Sequence, residues 1–344
     1  DGSVSVTAGG GTPGYTYNWE NAASAGTSVG VTATVTGLGA GTYNVTITDS
    51  NGCEKTDQAT VSEPSAVAAS IGSVSNVTCN GGSDGSATAS ATGGTGAYSY
   101  AWSNGETTAI ASNLTAGTHT VTITDANGCE DTESVTITEP AEVTFTTVVT
   151  NVDCHGASTG SIAVSASGGD GSYMYSKDGG SSFQAGSTFT SLSAGSYDIQ
   201  VKDGNNCISI VVSVTVTEPS ALTAVASGTN LSCNLSGDGT VSVTASGGTG
   251  AYSYNWENAA SAGTSIGTTA SLSGLAAGTY NVTVTDANSC EATASVTITE
   301  PSAMSSTASS TGTSCNGGSD GSVSVTAGGG TPGYTYNWEN AASA

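Results

Sequence analysis

The chain has 344 residues, and its 27 acidic side chains face only 3 basic ones, which gives a formal net charge of −24. Such a surface repels nucleic-acid backbones and anionic lipid, so partners of those two kinds are not expected. The length exceeds what one hydrophobic core usually supports, and no apolar run approaches a membrane span. We therefore predict several domains and no direct membrane insertion.

Four closely similar stretches organise the chain. Each reads as a turn, a strand of alternating polarity, a second turn and a cysteine, which is the pattern of a tandem array of β domains. The stretches cover residues 38–53, 114–129, 192–207 and 275–290. Glycine, serine and threonine dominate the composition, but the period-two spacing of Val, Ile and Tyr favours folded strands over disorder.

A Glu-Pro pair closes each repeat, because proline ends ladder pairing and holds the preceding residue extended. The pairs are Glu63-Pro64, Glu139-Pro140, Glu218-Pro219 and Glu300-Pro301. They predict a partial repeat at 1–64 that lacks its first strand, complete β-sandwich repeats at 65–140, 141–219 and 220–301, and the first half of a repeat at 302–344. Residues 1–25 are identical to residues 320–344, so four domains form a super-repeat of 319 residues, and we expect a much longer parent protein.

Within a repeat, short strands alternate with Gly-rich turns. In residues 220–301 the strand signals cover 222–226, 240–245, 251–256, 269–275, 279–285 and 293–299. Six or seven such strands, apolar on one side only, predict an all-β fold made of Ig-like antiparallel β-sandwiches in tandem. Leu275, Gly278 and Tyr280 have the spacing of a tyrosine corner. The same structural position is held by Tyr43, His119 and Tyr197.

Eight cysteines at fixed places in the repeat indicate disulfides and an oxidising, extracellular compartment. Two pairings fit the spacing, one within repeats and one between the last cysteine of a repeat and the first of the next, as in Cys53 with Cys79. If the chain reverses once per strand, both cysteine turns of a repeat meet at one end, which favours one disulfide per domain. The predicted bonds are Cys79-Cys129, Cys154-Cys207 and Cys233-Cys290, with Cys53 and Cys315 paired outside this sequence.

Aspartates recur in both cysteine turns and suggest a calcium site if the two turns meet. The candidates are Asp84, Asp125, Asp238 and Asp286. The competing interpretation is ordinary turn chemistry, because Asp-Gly and Asp-x-Asn-Gly sequences favour tight turns without metal. No other cofactor is predicted.

Aromatic residues alternate along the third strand of the repeat, so they lie on one face of it. They would stack on sugar rings if that face were exposed. They are Tyr98, Tyr100, Trp102, Tyr252, Tyr254 and Trp256. A Trp on this strand is also an expected core residue of a β-sandwich. No nucleophile elbow, Cys/His pair with an orienting residue or phosphate-binding loop occurs, so no catalytic residue and no enzyme activity are predicted.

The order CNGGSDGS, GGTGAYSYAWSNG, LTAGTHTVTITDANGC and SVTITEP resembles the SprB-type repeat of Bacteroidota surface proteins. That resemblance covers essentially the whole chain. It implies a long, secreted adhesin of the cell surface, including the filaments that drive gliding motility. It also implies an extracellular location on a filament attached to the outer membrane. Residues 141–219 depart from the pattern, because they lack the Trp of the third strand and the aspartate of the first turn.

The leading hypothesis from the sequence is therefore the rigid, disulfide-stapled shaft of a surface adhesin filament. Its predicted partners are neighbouring repeats of the same chain, other copies of the filament or a surface polysaccharide. The alternative hypothesis is a repeated carbohydrate-binding module that acts through the aromatic residues of the third strand.

Overall fold

The computed structural model describes residues 2–340 and divides into two compact units, Asp1–Ala141 and Glu142–Ala344. Within the described residues the only helices are two 3₁₀ turns, Ala22–Ser24 and Ala259–Ser261. The first unit contains β1 (Gly2–Ser5), β2 (Thr16–Asn21), β3 (Ser28–Gly30), β4 (Thr34–Leu38), β5 (Gly41–Thr48), β6 (Glu54–Val61), β7 (Ala68–Ser75), β8 (Gly85–Thr92), β9 (Ser99–Trp102), β10 (Ile110–Leu114), β11 (Gly117–Thr124) and β12 (Glu130–Ile137). The second unit contains β13 (Thr144–Thr150), β14 (Gly160–Ser167), β15 (Tyr173–Ser176), β16 (Thr188–Leu192), β17 (Gly195–Asp203), β18 (Val212–Val216), β19 (Thr223–Thr229), β20 (Gly239–Ser246), β21 (Ser253–Asn258), β22 (Ser265–Gly267), β23 (Ser271–Leu275), β24 (Gly278–Thr285), β25 (Glu291–Ile298), β26 (Ser305–Thr311) and β27 (Ser322–Gly328).

We number the predicted repeats 1 to 5 in chain order, from residues 1–64 to residues 302–344. Repeat 4 has the complete strand set. Strands β19, β20 and β23 form one antiparallel sheet, and β22, β21, β24 and β25 form the second. These positions correspond to strands A, B and E of an immunoglobulin domain on one side and C′, C, F and G on the other. The predicted all-β, Ig-like sandwich is confirmed.

The core of repeat 4 lies between its two sheets. Val241, Trp256 and Val282 are at most 1% exposed, whereas their neighbours along each strand are partly or fully exposed. This alternation arises because successive side chains of a strand point to opposite faces. Burial of each such large apolar side chain contributes about 1.5 to 3 kcal/mol to folding.

The other repeats follow the same plan with fewer strands described. Repeats 2 and 3 have two three-stranded sheets each, and repeat 1 pairs β1 with β4 opposite a four-stranded sheet. In repeat 5, β26 and β27 form an antiparallel pair. All four Glu-Pro pairs lie outside strands. The boundaries between repeats remain a prediction from the sequence.

The direction of strand F differs from the prediction and determines where the cysteines lie. Leu275, at the end of strand E, pairs with Gly239 at the start of strand B, so strand F starts at the end of the domain that holds the A–B turn. It therefore finishes at the opposite end. The prediction missed a chain reversal between strands C and E, which the short strand β22 makes in repeat 4. The expectation that the A–B and F–G turns share one end is wrong.

Candidate functional site at the junction between repeats

In repeats 1 to 4, the F–G turn is built around the carboxylate of one aspartate. In repeat 4, Asp286 accepts the backbone N–H groups of Asn288 and Cys290 at 2.9 Å each. Its other oxygen accepts the N–H of Thr249, in the B–C turn, at 2.8 Å. Burial raises the pKa of Asp286, but these backbone donors outweigh it and hold the pKa below its ordinary value. The aspartate thus ties two turns together at one end of the sandwich.

Gly248 allows the Asp286 carboxylate to approach the B–C turn. Its φ of +62° is left-handed, and a Cβ there would stand 2.5 Å from Asp286 Oδ2. Only glycine combines that backbone conformation with so close an approach. The same arrangement joins Asp125 to Gly94 in repeat 2 and Asp203 to Gly169 in repeat 3.

The A–B turn lies at the opposite end and holds the Glu-Pro linker. The Leu235 N–H donates to Glu300 Oε2 at 2.7 Å, and Asn234 Nδ2 donates to the Pro301 carbonyl at 3.2 Å. In repeats 2 and 3 the corresponding N–H groups, of Gly81 and Gly156, donate to Glu139 and Glu218 at 2.6 Å each. A charge-assisted bond to backbone therefore fixes the start of the linkers that follow repeats 2, 3 and 4.

His155 replaces the Asn of this turn in repeat 3. Its Nδ1 lies 3.2 Å from Glu218 Oε1, and its side chain is 52% exposed. The histidine therefore contacts the same linker glutamate, which agrees with a loop residue rather than a site of its own.

Within the second unit, the A–B turn of repeat 3 meets the F–G turn of repeat 4. Cys154 and Cys290 form a disulfide with their Cα atoms 5.7 Å apart. Beside it, Asn288 Nδ2 donates to the Asp153 carbonyl at 2.9 Å. Because a repeat carries the A–B turn at its C-terminal end and the F–G turn at its N-terminal end, the bond staples consecutive domains at their junction. We call this pair of turns the inter-repeat junction.

The disulfides predicted from the sequence are wrong. Cys154 is bonded to Cys290 and not to Cys207, so Cys233-Cys290 is excluded as well. Cys129 is a free thiol, which excludes Cys79-Cys129, although Cys79 and Cys207 are disulfide-bonded. The alternative pairing of neighbouring turns, such as Cys53 with Cys79, fails too because Cys53 is free. The physical reason is that the two cysteine turns of one repeat lie at opposite ends of a strand.

Cys53 and Cys315 are exposed free thiols in this chain, and their pairing with cysteines outside it remains a prediction. The predicted "one disulfide per domain" is replaced by a bond between domains.

The predicted convergence of aspartates is also wrong. Asp84 and Asp238 lie in A–B turns, whereas Asp125 and Asp286 lie in F–G turns at the other end of the sandwich. Their oxygens accept hydrogen bonds from the protein, such as Thr78 N–H to Asp84 Oδ1 at 2.9 Å. Across residues 2–340, no three acidic, histidine or cysteine side chains are grouped so that they could hold a metal ion. The competing turn-chemistry interpretation accounts for these aspartates.

The aromatic residues of strand C belong to the core, as expected for a Trp on this strand, and they form no exposed stripe. Trp102 and Trp256 are 4% and 0% exposed, and their indole N–H groups donate to the Thr108 and Thr269 carbonyls. The tyrosines Tyr98, Tyr100, Tyr252 and Tyr254 are partly buried and pack against the same two cores.

The structural corners have the predicted geometry. The hydroxyl groups of Tyr43, Tyr197 and Tyr280 each donate to a carbonyl four residues earlier at 2.9 Å. His119 Nε2 lies 2.9 Å from the Thr115 carbonyl, so it takes the same role in repeat 2. These bonds fix the entry into strand F.

The linker glutamates are the residues that the sequence reasoning missed. The signal was present, because a Glu precedes every boundary proline. Their role could not be deduced from the sequence, because it depends on the A–B turn lying beside the linker that follows the same repeat.

The chain is a tandem series of Ig-like sandwiches, and within the second unit a disulfide joins repeat 3 to repeat 4. The profile of the SprB repeat matches residues 1–24, 71–107, 146–182, 225–261 and 307–343, which make up half of the chain. The chain therefore belongs to the SprB repeat family. A comparison with curated proteins finds no match.

The solved structures that match this chain include immunoglobulin-domain proteins. The eight N-terminal Ig domains of Down Syndrome Cell Adhesion Molecule are 9% identical with a TM-score of 0.25, over 92% of this chain and 60% of that chain. The amphioxus IgVJ-C2 molecule is 17% identical with a TM-score of 0.21, over 40% of this chain and 95% of that one. The complex of Dpr2 Ig1-Ig2 with DIP-Theta Ig1-Ig3 gives 10% identity and a TM-score of 0.24, over 67% and 99%. The chain thus spans well under the full length of the first of these relatives.

Among the residues that the structure describes, no helix has the length and apolar character needed to cross a membrane.

Proposed function

We propose that this chain is a segment of the shaft of a long, secreted cell-surface adhesin, which serves surface attachment or gliding motility. The function is mechanical and structural, not enzymatic. The observation that carries the proposal is the inter-repeat junction, where a disulfide and a hydrogen bond between Asn288 and the Asp153 carbonyl join consecutive domains.

Three features restrict bending between repeats. The linker glutamate is bonded to the A–B turn, the following proline has a fixed φ, and the disulfide spans the junction on a second path. A linker bonded in this way behaves as a spacer and not as a flexible tether. This is the behaviour that a filament needs if force at one end is to reach the other.

The charge and the redox chemistry support an extracellular position. Disulfides persist in oxidising environments, and a net charge of −24 keeps a long chain soluble and limits self-association. The family relationship supports the cell surface. Attachment at the outer membrane is part of the proposal.

Carbohydrate binding by strand C, the alternative from the sequence, has no support in the position of the aromatic rings. Trp256 is fully buried, and the hydroxyl of Tyr252 donates to the Gly247 carbonyl at 2.6 Å. A glycan array with the purified chain should show no binding above the background of a Trp256→Phe variant.

Antibody labelling of intact cells that produce the parent protein tests the shaft proposal. Antibodies raised against this chain should decorate thin surface filaments in electron micrographs, with label repeated along their length. Treatment of the cells with a protease in the presence of a reductant should remove the label. Label that appears only after the cells are permeabilised would overturn the proposal.

A further inference from the structure

The free thiols of this chain lie at the same places in the repeat as the bonded ones. Cys233 and Cys315 are in A–B turns, as Cys154 is, and Cys53 and Cys129 are in F–G turns, as Cys290 is. Cys79 lies in an A–B turn and Cys207 in an F–G turn, and both are disulfide-bonded. Position in the repeat therefore does not explain why four cysteines are free.

Repeat 5 contacts the A–B turn of repeat 4 at the backbone position that repeat 4 contacts in repeat 3. Thr331 Oγ1 donates to the Ser232 carbonyl at 3.5 Å, next to Cys233. At the preceding junction, Asn288 contacts the corresponding Asp153 carbonyl and also Thr249, which is equivalent to Thr331. The docking of consecutive domains thus recurs where no F–G turn is present.

A cleft of about 340 Å³ adjoins Cys233 at this second junction, between the A–B turn of repeat 4 and the start of repeat 5. Its wall includes Gly330 and Met304. In repeat 4 the equivalent of Gly330 is Gly248. The Asp286 carboxylate of the F–G turn occupies the space beside Gly248 where a Cβ would lie. The cleft is therefore the place of an F–G turn and its cysteine.

The sequence period indicates which cysteine fits there. Residues 320–344 repeat residues 1–25, so a chain that keeps the period places residues 26–64, with Cys53, after Ala344. The F–G turn of the completed repeat 5 would be Asp49-Ser50-Asn51-Gly52-Cys53, which has the same Asp, Asn and Cys positions as the turn that carries Cys290. The next F–G turn would carry Cys129.

We propose that each A–B cysteine is bonded to the F–G cysteine of the following repeat, so that Cys233 joins a Cys53 and Cys315 joins a Cys129 of the next period. The inference rests on the proposed shaft function and deepens it by naming the partner of the free thiols. That partner is the F–G turn of the next sequence period in the same long chain. Formation of each bond removes two protons and two electrons from two thiols. The electrons pass to a disulfide oxidant, which is reduced to two thiols.

The consequence is a series of disulfide-closed loops that overlap along the chain. The loop closed by Cys154 and Cys290 encloses Cys207 and Cys233. Cys233 is free, and its proposed bond leaves this loop toward the following repeat. Every peptide bond of a long array then lies within at least one loop. A single backbone cleavage anywhere in the array leaves the filament covalently continuous.

Disulfide mapping of a longer chain tests the pairing. In that chain residues 26–141 follow residue 344, which completes repeat 5 and adds a further complete repeat. Peptide mass spectrometry without reduction should find Cys233 linked to the added Cys53, and Cys315 linked to the added Cys129. Free thiols should fall from four to three, although three cysteines have been added. Alkylation of Cys233, or a bond between the added Cys53 and the added Cys79, would overturn the proposal.

A cleavage experiment tests the consequence and supplies its own control. A protease recognition sequence is inserted after Ser302, outside the loop that Cys154 and Cys290 close. After digestion, the 344-residue chain should separate into two bands on a non-reducing gel. The longer chain should remain one band until reductant is added, and its Cys233→Ser variant should separate without reductant. Separation of the unmodified longer chain would refute the overlapping loops.

Neither experiment depends on where the protein is located in the cell. Failure of the pairing would leave the shaft proposal standing, whereas failure of surface labelling would leave the pairing intact.

Discussion

Repeats 3 and 4 have the same fold but fill their cores differently. Trp256 of repeat 4 pairs with Val282 in the sheet register and is fully buried. In repeat 3 the corresponding residue is Lys177, whose ammonium lies 5.9 Å from the ring centre of Tyr197. Repeat 3 instead buries Phe189 on strand E, where repeat 4 has the half-buried Leu272. The aromatic volume has moved from strand C to strand E, on the opposite sheet.

The ends of the two repeats, in contrast, are built alike. Asp203 of repeat 3 accepts the N–H groups of Asn205 and Cys207 at 2.9 and 2.8 Å, as Asp286 accepts those of Asn288 and Cys290. The glutamate before each boundary proline is bonded to an A–B turn in both. The difference teaches that a sandwich core tolerates exchange of volume between its sheets, whereas the turns that meet a neighbouring repeat keep their chemistry.

The largest expected effect is the loss of an aromatic core residue. Trp256→Ala should lower the free energy of local unfolding of repeat 4 by about 3 to 5 kcal/mol, because it leaves a large cavity. Lys177→Ala at the corresponding position should change that of repeat 3 by no more than about 0.5 kcal/mol, since an exposed cation–π contact is weak. Native-state hydrogen exchange of the amides in β24 and β17 measures each repeat separately. Equal effects of Trp256→Ala and Lys177→Ala would contradict the exchange of aromatic volume between the sheets. Phe189→Ala, in contrast, should lower the free energy of local unfolding of repeat 3, because it removes the buried aromatic residue of that repeat.

The strands were predictable from the sequence, because one face of each sheet is buried and the side-chain period is two. All six strands predicted for repeat 4 are present. Their directions were not predictable, because β22 is only three residues long and Ser-Ile-Gly carries no alternating pattern. One missed reversal moved the F–G turn to the wrong end and made every predicted disulfide wrong. The tyrosine corner survived this error because its bond spans four residues and does not depend on topology.

The next effect concerns the corner, which differs in burial between the two repeats. Tyr280 is 3% exposed, whereas Tyr197 is only half-buried. Tyr280→Phe should cost about 1 to 3 kcal/mol, because the Ala276 carbonyl loses its donor away from water. Tyr197→Phe should cost about 0.5 to 1.5 kcal/mol, since water can replace the hydroxyl at Ser193. Hydrogen exchange at the first residues of β24 and β17 gives the two values, and a larger loss in repeat 3 would count against burial as the cause.

A smaller effect is expected in the A–B turns. Leu235 of repeat 4 has a left-handed φ of +59°, where repeat 3 has Gly156 at +74°. A side chain in this conformation is disfavoured by about 1 to 2 kcal/mol, so Leu235→Gly should stabilise repeat 4 by up to that amount. Gly156→Leu should destabilise repeat 3 similarly. Denaturation midpoints of the two variants, each compared with the unmodified chain, should move in opposite directions.

The smallest effect is a difference in pH response between the same two turns. In repeat 4 the hydroxyl groups of Ser232 and Ser236, with the Ser232 N–H, donate to Asp238 and lower the pKa of its carboxyl to about 2. In repeat 3 the N–H of Asp153 donates to Thr159 Oγ1 at 2.9 Å, and a threonine does not titrate. Because the pKa of Asp238 is depressed by folding, its hydrogen bonds stabilise repeat 4 fully above the ordinary value of 3.8. That contribution is lost as the pH falls through about 2.

Amide chemical shifts measured by NMR during an acid titration resolve this difference. The Ser232 amide signal should show a transition with its midpoint near pH 2, the pKa of the carboxyl that it contacts. The matched variant Asp238→Thr copies the turn of repeat 3, and in it the Ser232 transition should disappear while the Asp286 turn, at the other end of the sandwich, is unaffected. If the transition persists in the variant, a different carboxyl controls the A–B turn. The turn chemistry of repeats 3 and 4 would then be alike in acid despite their different sequences.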